Sequence, residues 1–420
     1  MTCKSVKILT DNNLCYQCGT CSSICPTDAI KMERIIKRGL IYPKVDEKKC
    51  INCSKCLKVC PINNIDLEEN HLPTKDDFIG IYNSLDQNRF DYTASGGLVT
   101  EIIKYMFNEK KINKAIVTGM DTKNPTDGKS YIIENVEDLK RISGSVYQPV
   151  AVNELLSKIK PEDKVAFVGL PCHIRGLERY LQLNKKIKNS FIIKIGIICS
   201  IGRGKHGTTL TLEKEFGLKN YKNVDKMLYR FGMPPGDTTV YFKDGTVKSK
   251  SCMKIYKNTD YIFMPKGCLF CPDLFNDKAD ITVGDPWGLN KGKKAMGIIR
   301  NNEVKNIIED MLKKNYINFD VTLTPDECIK TQQHSVNYKL HNYSYRMNSY
   351  SKFKVKMPIE VKDIPRTNKI KHHIGFSLLM LNSNVFNSRL GYFIMKYVPK
   401  KIIYKYRDII LSINTSRVGE

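Results

Sequence analysis

Long apolar runs are missing from this chain of 420 residues. No stretch of about 18 consecutive apolar residues occurs, so no transmembrane helix is predicted. The first residues, MTCKSVK, lack the apolar core of a secretion signal. We therefore expect a cytoplasmic protein rather than a secreted or membrane-spanning one. In the reducing cytosol, clustered cysteines bind metal or take part in redox chemistry instead of forming disulfides.

Acidic residues are also scarce. The chain has 43 Asp and Glu against 68 Lys and Arg, which gives a net charge of +25. Residues 331–420 alone hold 16 basic and 4 acidic residues. Such a surface attracts phosphates, anionic lipid or an acidic partner without choosing among them. Because no DNA- or RNA-binding module is recognisable, we expect no nucleic-acid partner.

Motifs of several common enzyme classes are missing as well. The sequence has no P-loop lysine motif and no H-E-x-x-H pair, and we expect neither an ordinary Rossmann dinucleotide-binding fold nor a Walker ATPase. No side chain is recognised as a general acid or base, so no catalytic residue is assigned. The seven histidines are scattered, and most are predicted to lie at the surface.

Cysteine, by contrast, is concentrated: nine of the fifteen cysteines lie in the first 65 residues. Two runs share the spacing C-x2-C-x2-C-x3-C-P, 35 residues apart, which is typical of bacterial ferredoxins. In such runs three thiolates hold one 4Fe-4S cluster and the cysteine before proline binds the other. We assign one cluster to Cys15, Cys18, Cys21 and Cys60. We assign the second cluster to Cys50, Cys53, Cys56 and Cys25. Two zinc sites are the alternative, but zinc usually takes two separated C-x2-C pairs.

The rest of the chain divides at polar segments. Asp66–Asp77 is predicted to be a linker, and residues 78–330 alternate strand-like and helix-like segments, which favours an α/β core with antiparallel additions. A helix is predicted over Leu98–Phe107 with Ser95 as its N-cap, and a second over Val152–Ile159. The predicted fold class is α+β. The predicted domains are a dicluster ferredoxin-like domain over 1–65, an α/β domain over 78–330 and a basic, helical C-terminal extension over 331–420.

Four of the later cysteines form a third candidate metal set. Cys172 and Cys199 each follow a predicted strand, at the sheet edge where α/β folds assemble sites, and Cys268 and Cys271 form a metal-type pair. These four are candidates for a third 4Fe-4S cluster. The alternative is that the first two are buried small hydrophobic residues and the pair binds zinc or nothing. Cys252 and Cys328 are predicted to be structural.

The order of motifs resembles one family. The motifs are the two ferredoxin runs, Ser95-Gly96-Gly97, Gly144-Ser145-x-Tyr147, Gly169-Leu-Pro-Cys172, Ile198-Cys199, and KGCLFCPDLFNDKADITVGDPWG from Lys266. Over about residues 10–300 the chain resembles the coenzyme F-420 hydrogenase/dehydrogenase beta-subunit family, in versions with an N-terminal dicluster ferredoxin domain. Two positions depart from that family: Val150 stands where a serine is frequent, and Cys199-Ser200-Ile201 where Cys-His-Gly is frequent.

The resemblance implies a flavoprotein oxidoreductase in which FAD lies beside an iron–sulfur cluster and exchanges hydride with coenzyme F-420. It implies that Cys172, Cys199, Cys268 and Cys271 bind the third cluster. It also implies flavin-pocket candidates: Ser95, Gly96, Gly97, Gly144, Ser145, Tyr147, Gly169 and Pro171. The expected partner is F-420 or a redox protein. Similar longer proteins resemble those of polysaccharide-synthesis loci. The alternative is a flavin-free ferredoxin-like subunit that feeds electrons to a separate enzyme.

The segment Tyr392–Ile410 mixes aromatic, aliphatic and lysine residues. It fits a helix that lies on an anionic membrane surface, which would make the protein peripheral to the membrane. It also fits a helix that packs on its own domain with its lysines in water. Pro399 is expected to interrupt any single long helix here.

Overall fold

The structure is a computed structural model that describes residues 5–64, 71–86, 93–141, 144–289, 292–351 and 370–416. The strands are, in chain order, β1 (Ile30–Ile35), β2 (Leu40–Val45), β3 (Phe78–Ser84), β4 (Lys114–Met120), β5 (Gly128–Ile133), β6 (Val165–Gly169), β7 (Phe191–Ile197), β8 (Val224–Phe231), β9 (Asp237–Phe242), β10 (Val247–Ser251), β11 (Ile281–Gly284), β12 (Ala295–Ile299) and β13 (Ile317–Thr322).

The α-helices are, in chain order, α1 (Lys7–Asp11), α2 (Thr20–Ser23), α3 (Lys55–Lys58), α4 (Leu98–Asn108), α5 (Pro171–Leu183), α6 (Lys205–Phe216), α7 (Met253–Thr259), α8 (Asn302–Lys313), α9 (Pro325–Thr331), α10 (Gln333–Val336), α11 (Tyr343–Ser351), α12 (Ile370–Val385), α13 (Arg389–Tyr397) and α14 (Lys400–Thr415). Within the described ranges, no helix combines the length and apolar character needed to cross a bilayer.

One mixed sheet of eight strands has the order β13-β3-β12-β11-β7-β6-β4-β5. Strands β4, β6, β7 and β11 are parallel, and β12 is antiparallel to both β11 and β3. The carboxyl ends of β3, β11, β7, β6 and β4 therefore share one edge. Residues such as Ala166, Phe167 and Ile195 are fully buried because helices α4, α5 and α8 pack on this sheet. The fold thus places five strand ends where a site can form.

Two smaller sheets complete the strands. The N-terminal hairpin pairs β1 with β2, with Ile30 opposite Val45. A three-stranded antiparallel sheet, β10-β9-β8, packs on α6 and α7 through a core that includes Leu212, Val240 and Ile255. Gly245 has a φ of +83° in the β9–β10 turn, as the Asp-Gly sequence requires.

The C-terminal helices belong to the same core as the cysteine-rich start of the chain. Leu14 of the N-terminal segment, Phe270 of the central region and Tyr338, Phe376 and Ile410 of the extension lie in one cluster of buried residues. The three predicted segments therefore pack against one another through a common core. Their predicted boundaries stay predictions.

The predicted α+β class is confirmed, and most predicted elements are present. The N-cap is wrong: Gly97 caps α4 with a φ of +78°, while the Ser95 hydroxyl donates to the Lys294 carbonyl at 2.7 Å. The Ser95 hydroxyl is therefore bound to a distant carbonyl and does not form the helix cap that the local sequence predicts. The predicted helix at 152–159 is a 3-10 helix, Val152–Lys158.

The surface assignment of the histidines is also wrong. His71, His173, His206 and His372 are all buried. Burial lowers the pKa of His173 to about 4, so this imidazole is neutral near pH 7. Its Nδ1 accepts the Leu170 N–H at 3.2 Å, which caps the first turn of α5.

The cysteine-rich segment docks on α5 through Gly176. A Cβ at this position would lie 2.2 Å from Thr20 Oγ1 and 2.8 Å from Asn153 Nδ2. Thr20 Oγ1 already accepts a hydrogen bond from Asn153 at 2.8 Å, so it has little freedom to move away. We expect Gly176→Ala to lower the free energy of unfolding by about 1–3 kcal/mol through overpacking.

Denaturant unfolding under anaerobic conditions measures this effect. Gln182→Ala, on the exposed side of α5, is the matched control and should change stability by no more than about 0.5 kcal/mol. Equal stability of the Gly176 variant and the control would contradict this description of the interface.

Candidate redox site

The first cysteine set surrounds one buried cavity. Its members are the four cysteines that spacing assigned to the first cluster: Cys15, Cys18, Cys21 and Cys60. Apolar side chains such as Val6, Leu9 and Met32 close the rest of the wall. Burial, and then the nearby thiols, raise the pKa of Cys21, and burial raises that of Cys60 to about 12. Four thiolates in this space need cationic compensation, which iron supplies to its ligands.

The second set is built by the same backbone pattern. Gln17 and Gly19 flank Cys18 with φ values of +66° and +89°, and Asn52 and Ser54 flank Cys53 with +55° and +58°. Each second cysteine therefore sits between two left-handed residues, a conformation that costs free energy for a residue with a side chain. Short helices α2 and α3 then present the third cysteine of each run. The repeat in the sequence is thus a repeat in geometry.

Electrostatic neighbours identify the members of the second set. Burial raises the pKa of Cys56, and the nearby Cys53 and Cys25 raise it further. Cys25, which belongs to the first run, is therefore close to the thiols of the second run, as the ferredoxin pattern predicts. Cys53 is exposed, whereas Cys25 and Cys50 are half-buried. The second set thus lies nearer to solvent than the first.

The third set is assembled at the shared edge of the large sheet. Cys172 lies in the first turn of α5, just beyond β6, and Cys199 follows β7, with its N–H donating to the Leu274 carbonyl at 3.1 Å. Cys268 lies in a 3-10 turn, Lys266–Phe270, that leads to Cys271. Burial raises the pKa of Cys172, and so do Cys199, Cys271 and Cys268. All four candidate residues are neighbours.

The first and third sets adjoin each other. Cys268 is among the groups that raise the pKa of Cys15, after burial and the nearer thiols, and Cys18 is among those that raise the pKa of Cys172. A Cβ on Gly267 would lie only 2.7 Å from the Cys15 carbonyl, so the two backbones are in contact. Tyr16 lines the cavity of the first set and also a second cavity bounded by Cys172 and Cys271.

A buried lysine from the C-terminal extension reaches the third set. Lys339 Nζ lies 3.4 Å from Cys271 Sγ and 2.5 Å from the Asp273 carbonyl oxygen, and the residue is only 2% exposed. The neighbouring thiols and Asp273 raise the pKa of its ammonium despite burial, so it is charged at neutral pH. Lys339 could not be predicted as a site residue, because one lysine in a lysine-rich tail carries no distinguishing signal in the sequence.

The spacing of the sets does not favour single metal ions. Across the described ranges, no three Cys, His, Asp or Glu side chains converge closely enough to hold one ion. Tetrahedral zinc needs its ligands within about 2.0–2.3 Å of one centre.

The flavin candidates fall into three places, two of which follow strands β3 and β6 of the large sheet. Ser95, Gly96 and Gly97 lie between β3 and α4, and a Cβ on Gly96 would be 2.4 Å from the Ala295 nitrogen. Gly169 and Pro171 adjoin Cys172. Gly144, Ser145 and Tyr147 belong to the segment beside the three-stranded sheet, where Tyr147 packs on Tyr229 with ring centroids 5.2 Å apart. Residues 87–92, 142–143 and 290–291, which adjoin these places, lie outside the described residues.

Two buried arginines lie beside Tyr147. The guanidinium of Arg203 is 4.7 Å from the Tyr147 ring centroid and 5.0 Å from that of Tyr256. Arg230 donates to Asp285 at 2.5 Å, and its second terminal nitrogen has no hydrogen-bond partner among the described residues. Neither arginine carries a local sequence signal. Their positive charge suits the phosphates of a dinucleotide or an anionic substrate.

A glycine pattern was also passed over in the sequence. Gly202, Gly204 and Gly207 have G-x-G-x-x-G spacing, follow β7 and open α6. Protein atoms fill the space beside them, however. A Cβ would lie 2.4 Å from Cys268 Sγ at Gly202 and 2.3 Å from Thr259 Cγ2 at Gly207. Gly202 allows close packing on Cys268 of the third set, and Gly204 and Gly207 allow close packing on Phe263 and Thr259, so the pattern does not form an ordinary dinucleotide-binding loop.

Comparison with known proteins identifies the family. Residues 84–157 match the model of the coenzyme F-420 hydrogenase/dehydrogenase beta subunit N-terminal part, and residues 162–322 match that of its C terminus. Residues 14–64 match a 4Fe-4S dicluster domain. The chain belongs to the coenzyme F-420 hydrogenase/dehydrogenase beta-subunit family and carries an N-terminal 4Fe-4S dicluster domain. The resemblance seen in the sequence is confirmed.

Individual relatives are distant. A coenzyme F-420-dependent sulfite reductase of Methanocaldococcus jannaschii is 26% identical over 326 residues, which cover 72% of this chain and 47% of that protein. The chain thus spans about half the length of this relative. An uncharacterized protein of the same organism is 25% identical over 239 residues, 54% of this chain and 82% of that one.

A solved structure supports the fold. A chain of the F-420-reducing NiFe hydrogenase complex from Methanosarcina barkeri superposes with a TM-score of 0.53 at 19% identity. The match covers 68% of this chain and 96% of that chain. At this identity the likeness concerns the fold alone.

Iron content tests the third set. We expect Cys268→Ser to remove about four of about twelve irons per chain, because each 4Fe-4S cluster needs all of its thiolates. Iron and acid-labile sulfide, assayed after anaerobic purification, measure the loss. Cys252→Ala is the control: this buried thiol donates to the Pro235 carbonyl at 3.1 Å, outside the three sets, and its variant should keep every iron. An unchanged iron count in the Cys268 variant would show that the third set holds no cluster.

Proposed function

We propose that the protein is an iron–sulfur flavoprotein oxidoreductase that passes electrons between FAD and 4Fe-4S clusters. The contact between the first and third cysteine sets carries this proposal, because it joins the ferredoxin segment to the sheet edge where the flavin candidates lie. A bound flavin exchanges hydride, which carries two electrons, and clusters accept one electron at a time.

The positions of the three cysteine sets suggest an order for electron transfer. The second set is the nearest to solvent, the first set is buried, and the third set adjoins both the first set and Gly169 and Pro171. We infer the order second set, first set, third set, flavin. Tyr16 fills the space between the first and third sets, and its hydroxyl donates to the Phe270 carbonyl at 3.0 Å. Arg230, whose second terminal nitrogen has no partner among the described residues, is the cation with a free donor for the anionic part of the flavin or substrate. Arg203 lies beside it, but its guanidinium already donates to both oxygens of Asp260 at 2.5 and 3.2 Å.

The alternative is a flavin-free electron-transfer subunit. It is favoured by the packing at two of the candidate glycines. A Cβ on Gly169 would lie 2.7 Å from Phe167 Cε1 and 2.8 Å from His173 Cβ, and the space beside Gly96 is taken by backbone. Both glycines therefore have a packing reason to be glycine, independent of any cofactor.

Cofactor content and reduction separate the two proposals. The flavoprotein is expected to contain about one FAD per chain, because one sheet edge offers one site. Anaerobic addition of reduced F-420 should bleach the flavin band and then the cluster absorbance. Sodium dithionite is the control reductant, since it reduces clusters without a hydride acceptor. Clusters that are reduced by dithionite in a protein that retains no flavin would support the electron-transfer subunit instead.

The charge on Lys339 is expected to set the potential of the third cluster. A cation beside Cys271 stabilises the reduced cluster, which carries one more negative charge. Lys339→Met should therefore lower the reduction potential of the third cluster by roughly 50–100 mV. Lys339→Arg keeps the positive charge and should leave that potential nearly unchanged. Redox titration followed by electron paramagnetic resonance measures the shift. The exposed Lys330→Met is the control and should leave all potentials unchanged.

Iron is counted in each of these variants, so that loss of the cluster is distinguished from a shifted potential. Equal potentials in the Lys339→Met variant and the unaltered protein, at full iron content, would contradict the assigned role.

A further inference from the structure

An apolar stripe on α13 faces solvent. Leu390, Phe393, Ile394 and Tyr397 are 70%, 57%, 45% and 68% exposed. The spacing of i, i+3, i+4 and i+7 places them on one face of the helix. On an ordinary surface helix this face would be polar, so the stripe needs an explanation.

The stripe is not a consequence of a loosely placed helix. The opposite face is packed: Met395 is 4% exposed in a cluster with Phe263 and Ile403, and a Cβ on Gly391 would lie 2.0 Å from the Val385 carbonyl oxygen. Lys214 of α6 donates to the Lys396 and Val398 carbonyls at 2.9 and 2.7 Å. The orientation of α13 is therefore fixed, with its apolar stripe outward.

The next helix, α14, also combines exposed apolar residues with exposed lysines. Ile402 and Ile409 on α14 are 58% and 47% exposed, while Ile403 and Ile410 on the same helix are buried. Lys401 and Lys405 lie exposed near these isoleucines. Residues 370–416 contain seven basic residues and one acidic residue. Arg389 lies on one flank of the α13 stripe, and Lys396 on the same flank pairs with Glu213 of α6 at 3.2 Å. A basic margin around an exposed apolar face is complementary to an anionic surface.

We propose that α13 and α14 form a docking surface for an anionic lipid membrane, with the stripe of α13 inserted among the headgroups and the lysines beside the lipid phosphates. Lipid is favoured over a protein partner because lysines are interspersed with the apolar residues, whereas the cores of protein interfaces are depleted of lysine. The nine-residue α13 fits flat in the interface, where Phe393 and Tyr397, with ring centroids 4.9 Å apart, find an amphipathic environment.

Vesicle flotation with the full-length, anaerobically purified protein tests the proposal. We expect the protein to float with vesicles that contain about a third phosphatidylglycerol, and much less with pure phosphatidylcholine. The double variant Leu390→Ser with Phe393→Ser should lose roughly tenfold or more of its binding. Lys401→Gln with Lys405→Gln should lose several-fold of the binding to anionic vesicles and reduce its dependence on salt.

The matched control is Ile36→Ser with Met233→Ser. These residues are 81% and 58% exposed in turns outside the extension, so the same loss of apolar surface there should leave flotation unchanged. Iron content and circular dichroism confirm that each variant is folded. Absence of flotation with anionic vesicles, or equal flotation of the stripe variant, would overturn the proposal. Self-association that the stripe variant abolishes, without vesicle binding, would also overturn it and assign the stripe to a second copy of the chain.

Discussion

Burial of thiols beside other thiols is the constraint on which the rest of the structure depends. Each set contains a thiol, Cys21, Cys56 or Cys172, whose pKa is raised by burial and by its neighbouring thiols. Without a cation, each additional thiolate in such a set would destabilise the others. The backbone nevertheless adopts left-handed conformations at Gln17, Asn52 and Ser54 to bring these thiols together. Conformational cost and electrostatic cost at the same positions are explained by a bound iron–sulfur cage, and neither is explained by packing alone.

The carboxyl edge of the large sheet positions the third cysteine set beside the first. Cys172 and Cys199 follow adjacent parallel strands, so their separation is set by strand spacing rather than by loops. Gly202 leaves room for Cys268 within the third set, and Gly267 lets the third set approach the backbone of Cys15 in the first set. In the proposed electron path, the contact at Gly267 shortens the distance between the first and third sets.

Sequence reasoning recovered what is local or periodic. The two ferredoxin runs define their own partners through spacing, and apolar runs locate β6 and β7 with their cysteines at the carboxyl ends. Residues whose role depends on contacts between distant parts of the chain could not be predicted. Lys339 gains its role only when the extension folds over Cys271, and Arg203 only when Tyr147 and Tyr256 meet above it. The capping of α4 failed for the same reason, since the Lys294 carbonyl competes for Ser95.

One of the two departures from the expected family pattern, at Ser200 and Ile201, lies where the extension makes contact. Ser200 and Ile201 stand where the resemblance to the family leads one to expect histidine and glycine. The Ser200 hydroxyl lies 2.9 Å from that of Ser335, and Ile201 joins the buried cluster that contains Tyr338. A histidine and a glycine at these positions would supply neither this small hydroxyl nor this apolar surface. The loop after Cys199 is thus adapted to a helical cover, and the same cover delivers Lys339 to Cys271. The inner side of the extension therefore contributes to the candidate redox site, and its outer side, with the stripe of α13, is available for a separate role.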